Sequence, residues 1–589
     1  MPNLHFVGAA AEAPIDPGAL CLYTTWTAYE KLTTRGFQPH RLWDAITPEL
    51  GTALDEWVLE RAQRWYYDGE QDVTKFQGMS LGGIHEWMLL FKTFLPVYKI
   101  IAAASHWIMQ EQPARIWFDE DVEPHWPAAL AQVSARWAPA ASVQCVASNG
   151  VPGGALRPWR PQAIHRKHYL AAQMWNAAAR IARLSGTRKG CNVLYFNYHT
   201  IEPILKGLLD APGDRFHVMM ADRPPLRLLQ SLLVHGVELL LPDPAPLDGA
   251  EQQKVRRMQE HWRELSRRDD FRAQFRWNGV DAWPALQNDL NYVIESELPY
   301  TAVLARGYLR ALERARPDCV LLPFDSAYLQ QMVIEAAQQL RIPSIVMLHG
   351  LPGTYHRGGS SSRADYLMVW GPAIANKFVQ MGKSPEAVFT VGFPGYAIYH
   401  PSSRQRSAAK RTILLLTNPL GNGTALAAED DSEIYLFYIL NTLMDLPGIQ
   451  LLLRPHPSES AGYYVQFLAS HHFTGVRVVA RESIARLLDQ ADLVIGPIST
   501  VLIEALAAGV PVMCVNFSKV KYPAPFDGNW DVPVISDTTA LRAHMAQFLR
   551  GELPGPSQTV LEAFCGPRSK DVVAMARDTI ERITKRTRD

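Results

Sequence analysis

The sequence has little cysteine and no net charge, and both features exclude classes of protein. The chain of 589 residues carries 58 Lys and Arg against 58 Asp and Glu. A nucleic-acid-binding protein carries a strongly basic surface, so we expect no nucleic-acid partner. The six cysteines are far apart and form no CxxC pair: Cys21, Cys145, Cys191, Cys319, Cys514 and Cys565. This spacing argues against a disulfide scaffold or a zinc ribbon and indicates reduced thiols in a cytoplasmic protein.

The sequence also shows no signal-peptide pattern and no long apolar run, and we expect neither a leader nor a membrane span. Its N-terminus has no basic segment followed by an apolar core. The most apolar region, residues 87–109, is interrupted by Lys92 and Lys99, and its longest run without a charged residue is 100–110. A bilayer span needs about 20 apolar residues. We therefore expect a buried amphipathic helix there, in a protein that at most lies peripherally at the inner face of the membrane.

From Cys191 onward, short apolar runs alternate with helical stretches. Continuous apolar runs are typical of parallel strands buried on both faces, and their alternation with helices predicts an α/β fold. We predict an N-terminal α/β segment (1–185) that is part of the next domain or packs on it. A first Rossmann-like, acceptor-side domain (186–400) and a second, nucleotide-donor domain (411–568) follow. We expect a polar connector, Tyr399–Arg411, to act as the hinge between them and a C-terminal helix (569–589) to cross back.

One pattern occurs twice along the chain. A helix ended by a proline precedes the apolar strand RIWFDED near residue 117, and the same order recurs before CVLLPFDS near residue 321. Each strand has acidic residues at its carboxyl end, where open α/β sheets bind ligands. The pattern is compatible with an internal duplication or with chance similarity between βαβ units.

The strongest local signal is the sequence Arg454-Pro455-His456-Pro457, which ends the apolar strand QLLLRPHP. A cation and an imidazole at the carboxyl edge of a sheet suit an anionic group such as phosphate. The alternative is a strand-end turn with both side chains in solvent.

A second signal is Ser499-Thr500, which stands between the strand ADLVIG and a helix. Backbone N–H groups and the dipole at a helix N-terminus bind anions, although the same residues also serve as helix caps. Glu504 lies one turn further along, where it can reach a ribose hydroxyl.

A third signal is the turn after the first strand of the second domain, with Asn418, Gly421 and Gly423. Glycines there let the backbone approach a phosphate or substrate, but the pattern lacks the third glycine of a dinucleotide fingerprint.

Together these motifs resemble bacterial surface-polysaccharide glycosyltransferases of the two-Rossmann (GT-B) type. The RPHP sequence and the later Ser-Thr pair are similar to motifs of sialyl- and Kdo-transferases of capsule and lipopolysaccharide synthesis and of teichoic-acid glycerophosphate transferases. MLHGLPGTYHRG, ADYLMVWG and VGFPGY add to the resemblance, which covers about residues 310–530. It implies two facing Rossmann domains, a bacterial enzyme that uses a nucleotide sugar, and no cofactor or metal ion.

The resemblance also implies roles for individual residues. Arg454, His456, Ser499 and Thr500 would hold the donor's phosphate, and His349 would be the general base. We name two further base candidates at predicted strand ends, Asp325 and Asp119. The Asp119-Glu120-Asp121 run formally fits a D-x-D metal motif, but the two-Rossmann architecture generally works without such a metal, and we assign none. In the HG and Ser-Thr motifs the neighbouring residues differ from the family's, so the donor's identity does not carry over.

Residues 254–276, from Lys254 to Arg276, hold eight Lys and Arg against four acidic residues. This stretch is either a solvated helix face or a contact for an anionic acceptor or the cytoplasmic membrane leaflet.

We predict a glycosyltransferase that moves a sugar from a CMP- or UDP-activated donor to a growing surface polysaccharide or glycolipid. Three alternatives stay open: a nucleotide-sugar epimerase, a polyol-phosphate transferase and a non-catalytic subunit that binds sugar nucleotides or polysaccharide.

Overall fold

A computed structural model describes most of the chain. The described ranges are 3–8, 15–146, 166–182, 190–212, 215–222, 224–243, 245–352, 362–401, 411–418, 431–444, 446–517 and 522–586. Gly421, Gly423 and most of the predicted connector lie outside these ranges.

Residues 3–146, called here the first unit, form a five-stranded parallel sheet of their own. Its strands are β1 (Asn3–Val7), β2 (Ala19–Tyr23), β3 (His40–Arg41), β8 (Arg115–Asp119) and β9 (Ser142–Val146), in the order β3-β2-β1-β8-β9. Two small hairpins pair β4 (Tyr67–Asp68) with β5 (Gln71–Asp72) and β6 (Lys75–Phe76) with β7 (Met79–Ser80). The helices are α1 (Trp26–Thr34), α2 (Pro48–Arg64), α3 (Leu81–Ile84), α4 (Glu86–Leu89), α5 (Leu95–Glu111) and α6 (Trp126–Trp137). Another helix, α7 (Arg166–Ala182), precedes the second unit.

Residues 190–401, the second unit, form a seven-stranded parallel sheet. Its strands are β10 (Cys191–Tyr195), β11 (Phe216–Met220), β12 (Glu238–Leu239), β15 (Cys319–Leu322), β16 (Ser344–Met347), β17 (Tyr366–Val369) and β18 (Val388–Thr390), in the order β12-β11-β10-β15-β16-β17-β18. A hairpin pairs β13 (Arg276–Trp277) with β14 (Val280–Asp281). The helices are α8 (Glu202–Leu209), α9 (Leu229–Val234), α10 (Gly249–Leu265), α11 (Asp269–Ala273), α12 (Trp283–Tyr292), α13 (Leu298–Ala315), α14 (Tyr328–Gln339) and α15 (Pro372–Gln380).

Residues 411–550, the third unit, form a six-stranded parallel sheet. Its strands are β19 (Arg411–Leu416), β20 (Ile449–Arg454), β21 (Val476–Val478), β22 (Leu493–Gly496), β23 (Val512–Val515) and β24 (Val534–Ile535), in the order β21-β20-β19-β22-β23-β24. Its helices are α16 (Asp431–Leu443), α17 (Ala461–Ser470), α18 (Ile484–Gln490), α19 (Thr500–Ala507) and α20 (Thr538–Arg550). The predicted α/β fold with two Rossmann-type parallel sheets is therefore confirmed, and the N-terminal segment adds a third sheet.

The first and second units repeat one topology. The order β3-β2-β1-β8-β9 corresponds element by element to β12-β11-β10-β15-β16. Both units carry a hairpin whose two turn residues are left-handed, Gln77-Gly78 and Asn278-Gly279, as a type I′ turn requires. In both, a π-helical turn leads into the long helix before the strand that pairs with the unit's first strand, β8 beside β1 and β15 beside β10. The sequence pattern seen twice is thus part of a repeated fold.

The two repeats pack against each other through equivalent surfaces. Gly78 of the β6–β7 hairpin lies against Gln339 at the end of α14. Gly279 of the β13–β14 hairpin lies against Arg136 in the equivalent helix α6. Reciprocal contacts of this kind are typical of a two-fold interface between identical subunits. The first unit therefore sits on the second as a fused second copy of its fold.

The C-terminal segment returns from the third unit to the second. Its helices are α21 (Gln558–Cys565) and α22 (Val572–Arg586), which pack against α15 and α8. Arg577 donates to the carbonyl of Gly207 with Nε at 2.8 Å. The Phe393 N–H donates to the carbonyl of Cys565 at 2.9 Å. Both helices at this end of the chain thus contact the second unit.

One helical stretch in the described part of the chain, Glu86–Glu111, is long and apolar enough to cross a membrane by length and composition alone. Within its most apolar window, 72% is buried inside the protein. Burial of this degree is typical of a core helix, which agrees with the expectation from the sequence.

Candidate active site between the second and third units

His349 follows β16 at the carboxyl edge of the second sheet, and its ring is held in one orientation. Its Nδ1 lies 2.8 Å from the carbonyl oxygen of Pro323, and only an Nδ1–H can donate there. The rings of Tyr198 and Phe324 pack edge-on, each with its centroid 5.0 Å away. Burial lowers the pKa of His349. A neutral ring with its proton on Nδ1 leaves a lone pair on Nε2, which is the form that a general base needs.

The loop after His349 touches the helix N-terminus of the third unit. The Leu351 N–H donates to Thr500 Oγ1 at 3.2 Å. A Cβ placed on Gly350 would lie 2.8 Å from the same oxygen, so glycine permits this close approach. Ser499 is the N-cap of α19, and its side chain accepts from the Val501 N–H at 3.1 Å. The capping role left open for this pair is therefore filled by Ser499, while Thr500 joins the two units.

Glu504 is buried on the next turn of α19, beside the last residues of the second unit. Burial raises its pKa to about 7, and a hydrogen bond from Tyr399 partly opposes that rise. The pKa of Tyr198, which packs on His349, is raised by burial and further by the Glu504 charge. The structure thus brings His349, Thr500 and Glu504 together across the interface of the two units.

His456 adopts the opposite tautomer from His349. The Ser458 N–H donates to its Nδ1 at 3.2 Å, and the Ser458 hydroxyl lies 2.7 Å from the same atom. Burial lowers the pKa of His456; the Glu459 charge partly opposes that shift, and the Arg454 charge adds to it. A neutral ring that accepts at Nδ1 carries its proton on Nε2. That N–H is a donor, as the binding of a phosphate oxygen requires.

The loop that carries His456 is fixed by a carboxylate. Its backbone N–H donates to Thr417 Oγ1 at 3.1 Å and to Glu459 Oε2 at 3.0 Å. The Thr417 hydroxyl donates to the same carboxylate, and the Tyr464 hydroxyl donates to its other oxygen at 2.8 Å. Glu459 therefore ties the RPHP loop to the end of the neighbouring strand β19.

Arg454 and Asn418 hold strand ends in place. Arg454 Nη1 donates to the carbonyl of Val479 at 3.1 Å and to that of Ala480, beyond the end of β21. Asn418 Nδ2 donates to the carbonyl of Ile498 at 2.8 Å, just before Ser499. Because β19 lies between β20 and β22, Asn418 stands between the RPHP loop and the Ser-Thr loop.

Asp325 binds Ser362 and Arg363, which precede β17. Its Oδ2 accepts from the Ser362 hydroxyl at 2.6 Å and from the Arg363 N–H at 2.9 Å. The carboxylate lies beside the cavity that His349 also lines. Through these bonds Asp325 fixes the backbone before β17 within the second unit.

Asp119 belongs to the first sheet, not to the sheet that carries His349. The side chain is fully buried, with Oδ1 2.7 Å from His5 Nε2 and Oδ2 accepting from the Gly8 N–H at 3.0 Å. Both carboxylate oxygens are therefore engaged inside the first unit. The structure does not bring Asp119 together with His349.

Several residues of the site were missed by sequence reasoning. Tyr198 follows β10 at the same sheet edge as His349, and the strand-end rule applied to NVLYFNY would have found it. Glu459 stands three residues after His456, so an acidic residue within RPHPSE was a usable signal. The pairing of Tyr399 with Glu504 carried no such signal, because it depends on how two units pack.

Two further expectations concern metals and the basic stretch. Among the described residues, no group of three or more His, Cys, Asp or Glu is arranged to hold a metal ion. Two of the eight cations of residues 254–276 form ion pairs: Arg263 with Glu295 at 2.6 Å, and Arg268 with Asp68 at 2.9 Å. These pairs favour the solvated-face interpretation of that stretch.

Comparison with known proteins gives partial similarities. No protein-family model matches the chain. The UDP-N,N'-diacetylbacillosamine 2-epimerase (hydrolyzing) of Legionella pneumophila is 27% identical over 258 residues, which cover 40% of this chain and 66% of that protein. The chain thus spans just under two thirds of that relative's length.

Similar solved structures include a putative UDP-N-acetylglucosamine 2-epimerase from Listeria monocytogenes (TM-score 0.41, 12% identity, 68% of this chain and 97% of that chain). The wall teichoic acid polymerase TagF has a TM-score of 0.36 at 12% identity, covering 71% of this chain and 96% of that chain. The lipopolysaccharide outer core galactosyltransferase WaaB has a TM-score of 0.36 at 11% identity, covering 67% and 99%.

Proposed function

We propose that this chain is a glycosyltransferase that moves a sugar from a CMP- or UDP-activated donor to a growing surface polysaccharide or glycolipid. We further propose that it acts in the cytoplasm and uses no metal ion or other cofactor. The observation that carries this proposal is the hydrogen bond between the His349 loop and Thr500 at the N-terminus of α19, since such a helix end suits a phosphate.

The two histidines support a division of labour. His456 offers an Nε2–H donor to the leaving phosphate, together with the N–H groups at the start of α19. His349 offers an Nε2 lone pair to the acceptor hydroxyl. As the sugar leaves the phosphate, the hydroxyl oxygen bonds to the sugar carbon and its proton passes to His349.

A hydrolysing nucleotide-sugar 2-epimerase is the second candidate, and the Legionella relative favours it. Such an enzyme needs no acceptor, since water or a substrate group reacts in its place. Incubation of UDP-N-acetylglucosamine alone separates the two functions. An epimerase releases UDP and a new amino sugar from it, whereas a transferase requires an added acceptor. A polyol-phosphate transferase would instead consume a CDP-linked polyol, and a binding subunit would consume nothing.

The test of the donor site is calorimetric binding of CMP, CDP, UDP, GDP and ADP. We expect one of them to bind and His456→Ala to weaken that binding by about tenfold to a hundredfold, because a charge-assisted hydrogen bond is lost. His472→Ala is the matched control, since that histidine is exposed at the end of α17. If no nucleotide binds, or if both variants bind equally well, the donor-site assignment is wrong.

Glu504 predicts a pH dependence of nucleotide binding. Its pKa is raised to about 7, so the carboxylate is ionised above that pH and protonated below it. A carboxylate accepts hydrogen bonds from ribose hydroxyls better than its neutral form does. We expect affinity to fall by up to about tenfold between about pH 8 and about pH 6. Glu504→Gln should flatten this profile, and an unchanged slope in that variant would contradict the role.

A further inference from the structure

A cavity of about 180 Å³ lies beside His349, and its walls are mostly apolar. The walls that matter here are Trp87, Phe324, Leu348, Leu351, Phe378 and Met381. Polar side chains are few: the Asp325 carboxylate, the His349 imidazole and the hydroxyls of Ser326 and Ser362. Among the described residues that line it, none is Lys or Arg. The described walls of the cavity are therefore mostly apolar, whereas the candidate phosphate-binding residues lie in the third unit.

Trp87 differs from the other walls because it belongs to the first unit. Its ring stacks on Phe91 with centroids 4.9 Å apart and an angle of 23° between the planes. The cavity beside His349 is thus completed by the fused copy of the fold. Without the first unit the cavity would lose its only tryptophan among the described lining residues.

An ion-pair network fixes this wall relative to the second unit. Arg363 Nη2 lies 2.6 Å from Glu86 Oε1, next to Trp87, and Nη1 lies 2.6 Å from Glu335 Oε1 on α14. The Tyr66 hydroxyl donates to Glu86 at 2.7 Å. These side chains are largely buried, so the pairs are shielded from solvent screening.

The same segment reaches the polar side of the cavity. Ser362 and Arg363 are the residues whose hydroxyl and backbone N–H bind Asp325. Ser362 and Arg363 therefore fix two parts of the cavity. Arg363 pairs with Glu86, the neighbour of Trp87, and both residues bind the Asp325 carboxylate. His349 lines the same space and carries its lone pair on Nε2.

We propose that the first unit completes a substrate pocket of the second unit, in which an uncharged sugar ring packs against Trp87 beside His349. The proposal rests on the proposed function. A pyranose presents C–H groups on its face and hydroxyls on its rim, which matches apolar walls with one carboxylate and two hydroxyls. The size also fits, because an apolar cavity of about 150 Å³ accommodates a six-membered ring such as benzene.

The test measures binding of two uncharged probes, methyl glucopyranoside and methyl N-acetylglucosaminide, by saturation-transfer NMR in the presence of UDP. We expect Trp87→Ala to weaken binding of the preferred glycoside by about tenfold and Trp87→Phe to retain most of it, because an aromatic wall remains. Trp137→Ala, a half-buried tryptophan of the same unit outside the cavity, is the matched control.

A second variant guards against loss of folding in Trp87→Ala. Met381→Trp fills the cavity from the second unit, leaves the Glu86–Arg363 pair in place and should weaken the glycosides to the same degree. The UDP affinity should stay unchanged in all variants. Glycoside binding that is absent from the wild type, or unaffected by both cavity variants, overturns the pocket. Failure of every nucleotide to bind contradicts the proposed function instead.

Discussion

Replacing His349 by alanine should lower turnover by about a hundredfold to ten-thousandfold, the usual effect of removing a general base. The physical reason is the fixed tautomer. The Nδ1–H is committed to the Pro323 carbonyl, so Nε2 is the atom left to take a proton. Nucleotide affinity should be unchanged, because the donor's phosphate is assigned to groups of the third unit. The measurement is a rate of product formation at saturating nucleotide sugar, beside calorimetric binding of the nucleotide.

His349→Asn provides a matched variant for this prediction. The asparagine amide can still donate to the Pro323 carbonyl, so the loop keeps its bond, but no basic nitrogen remains. We expect turnover in His349→Asn to be as low as in His349→Ala. Activity near the wild-type level in His349→Asn would mean that the histidine only positions the loop.

The pH profile gives an independent check on the same residue. Burial lowers the pKa of His349, so the neutral base persists below the ordinary range of histidine. The acid limb of the rate should therefore lie below that range, and activity should be lost as the pH falls through the lowered pKa. A limb at the ordinary value would indicate a solvated histidine or a different base.

The sheets of the second and third units were predictable because their strands are continuous apolar runs. Cys319–Leu322 and Leu493–Gly496 are buried at every position, as the run of apolar letters indicated. The run VELLLP likewise predicted a strand where Glu238–Leu239 forms β12. The two-residue strand Val534–Ile535 has no run long enough to define it. Its ends are set by pairing with a neighbour, which a sequence pattern does not contain.

In the sequence, the repeat of the fold could be detected only where a long helix precedes a buried strand. The equivalent hairpin turns read Gln77-Gly78 and Asn278-Gly279, and only the glycine is shared. What the two copies have in common is backbone conformation, which different residues can adopt. The residues that the first unit adds to the site, such as Trp87, could not be assigned before the packing of the copies was known.

The sequence predicted the motifs of the site but not the hydrogen-bond partners that determine the tautomers of their histidines. His349 and His456 look equivalent in the sequence, each beside a glycine or proline at a strand end. The structure separates them, because one donates from Nδ1 to a carbonyl and the other accepts at Nδ1 from a backbone N–H. We assign His349 as the base and His456 as the hydrogen-bond donor to the phosphate on the basis of that difference.

Replacing Gly371 by alanine should strongly lower the free energy of unfolding. Gly371 precedes α15 with φ of −130°, an extended conformation that alanine adopts without strain. The added Cβ would lie 2.3 Å from the carbonyl oxygen of Ala563 and 2.5 Å from the carbonyl carbon of Phe564. Both atoms are backbone, so α21 must move away from α15 to make room.

We expect Gly371→Ala to cost about 3 kcal/mol, the upper range for overpacking. The calorimetric unfolding midpoint of the second unit should then fall by about 6–12 °C. Gly555→Ala is the matched control, because a Cβ there meets no atom within 4 Å. An unchanged midpoint in Gly371→Ala would show that the returning segment does not support the second unit.

The reactivity of the Cys565 thiol shows whether α21 is displaced in Gly371→Ala. It is buried at the end of α21, and burial raises the pKa of its thiol to about 12, so it should react slowly with thiol reagents in the wild type. Displacement of α21 exposes this thiol, and we expect site-specific mass spectrometry to show faster labelling of Cys565 in Gly371→Ala. Labelling of Cys514, buried in the third sheet, should not change. Equal acceleration at both cysteines would indicate general unfolding rather than release of the crossing segment that joins the second and third units.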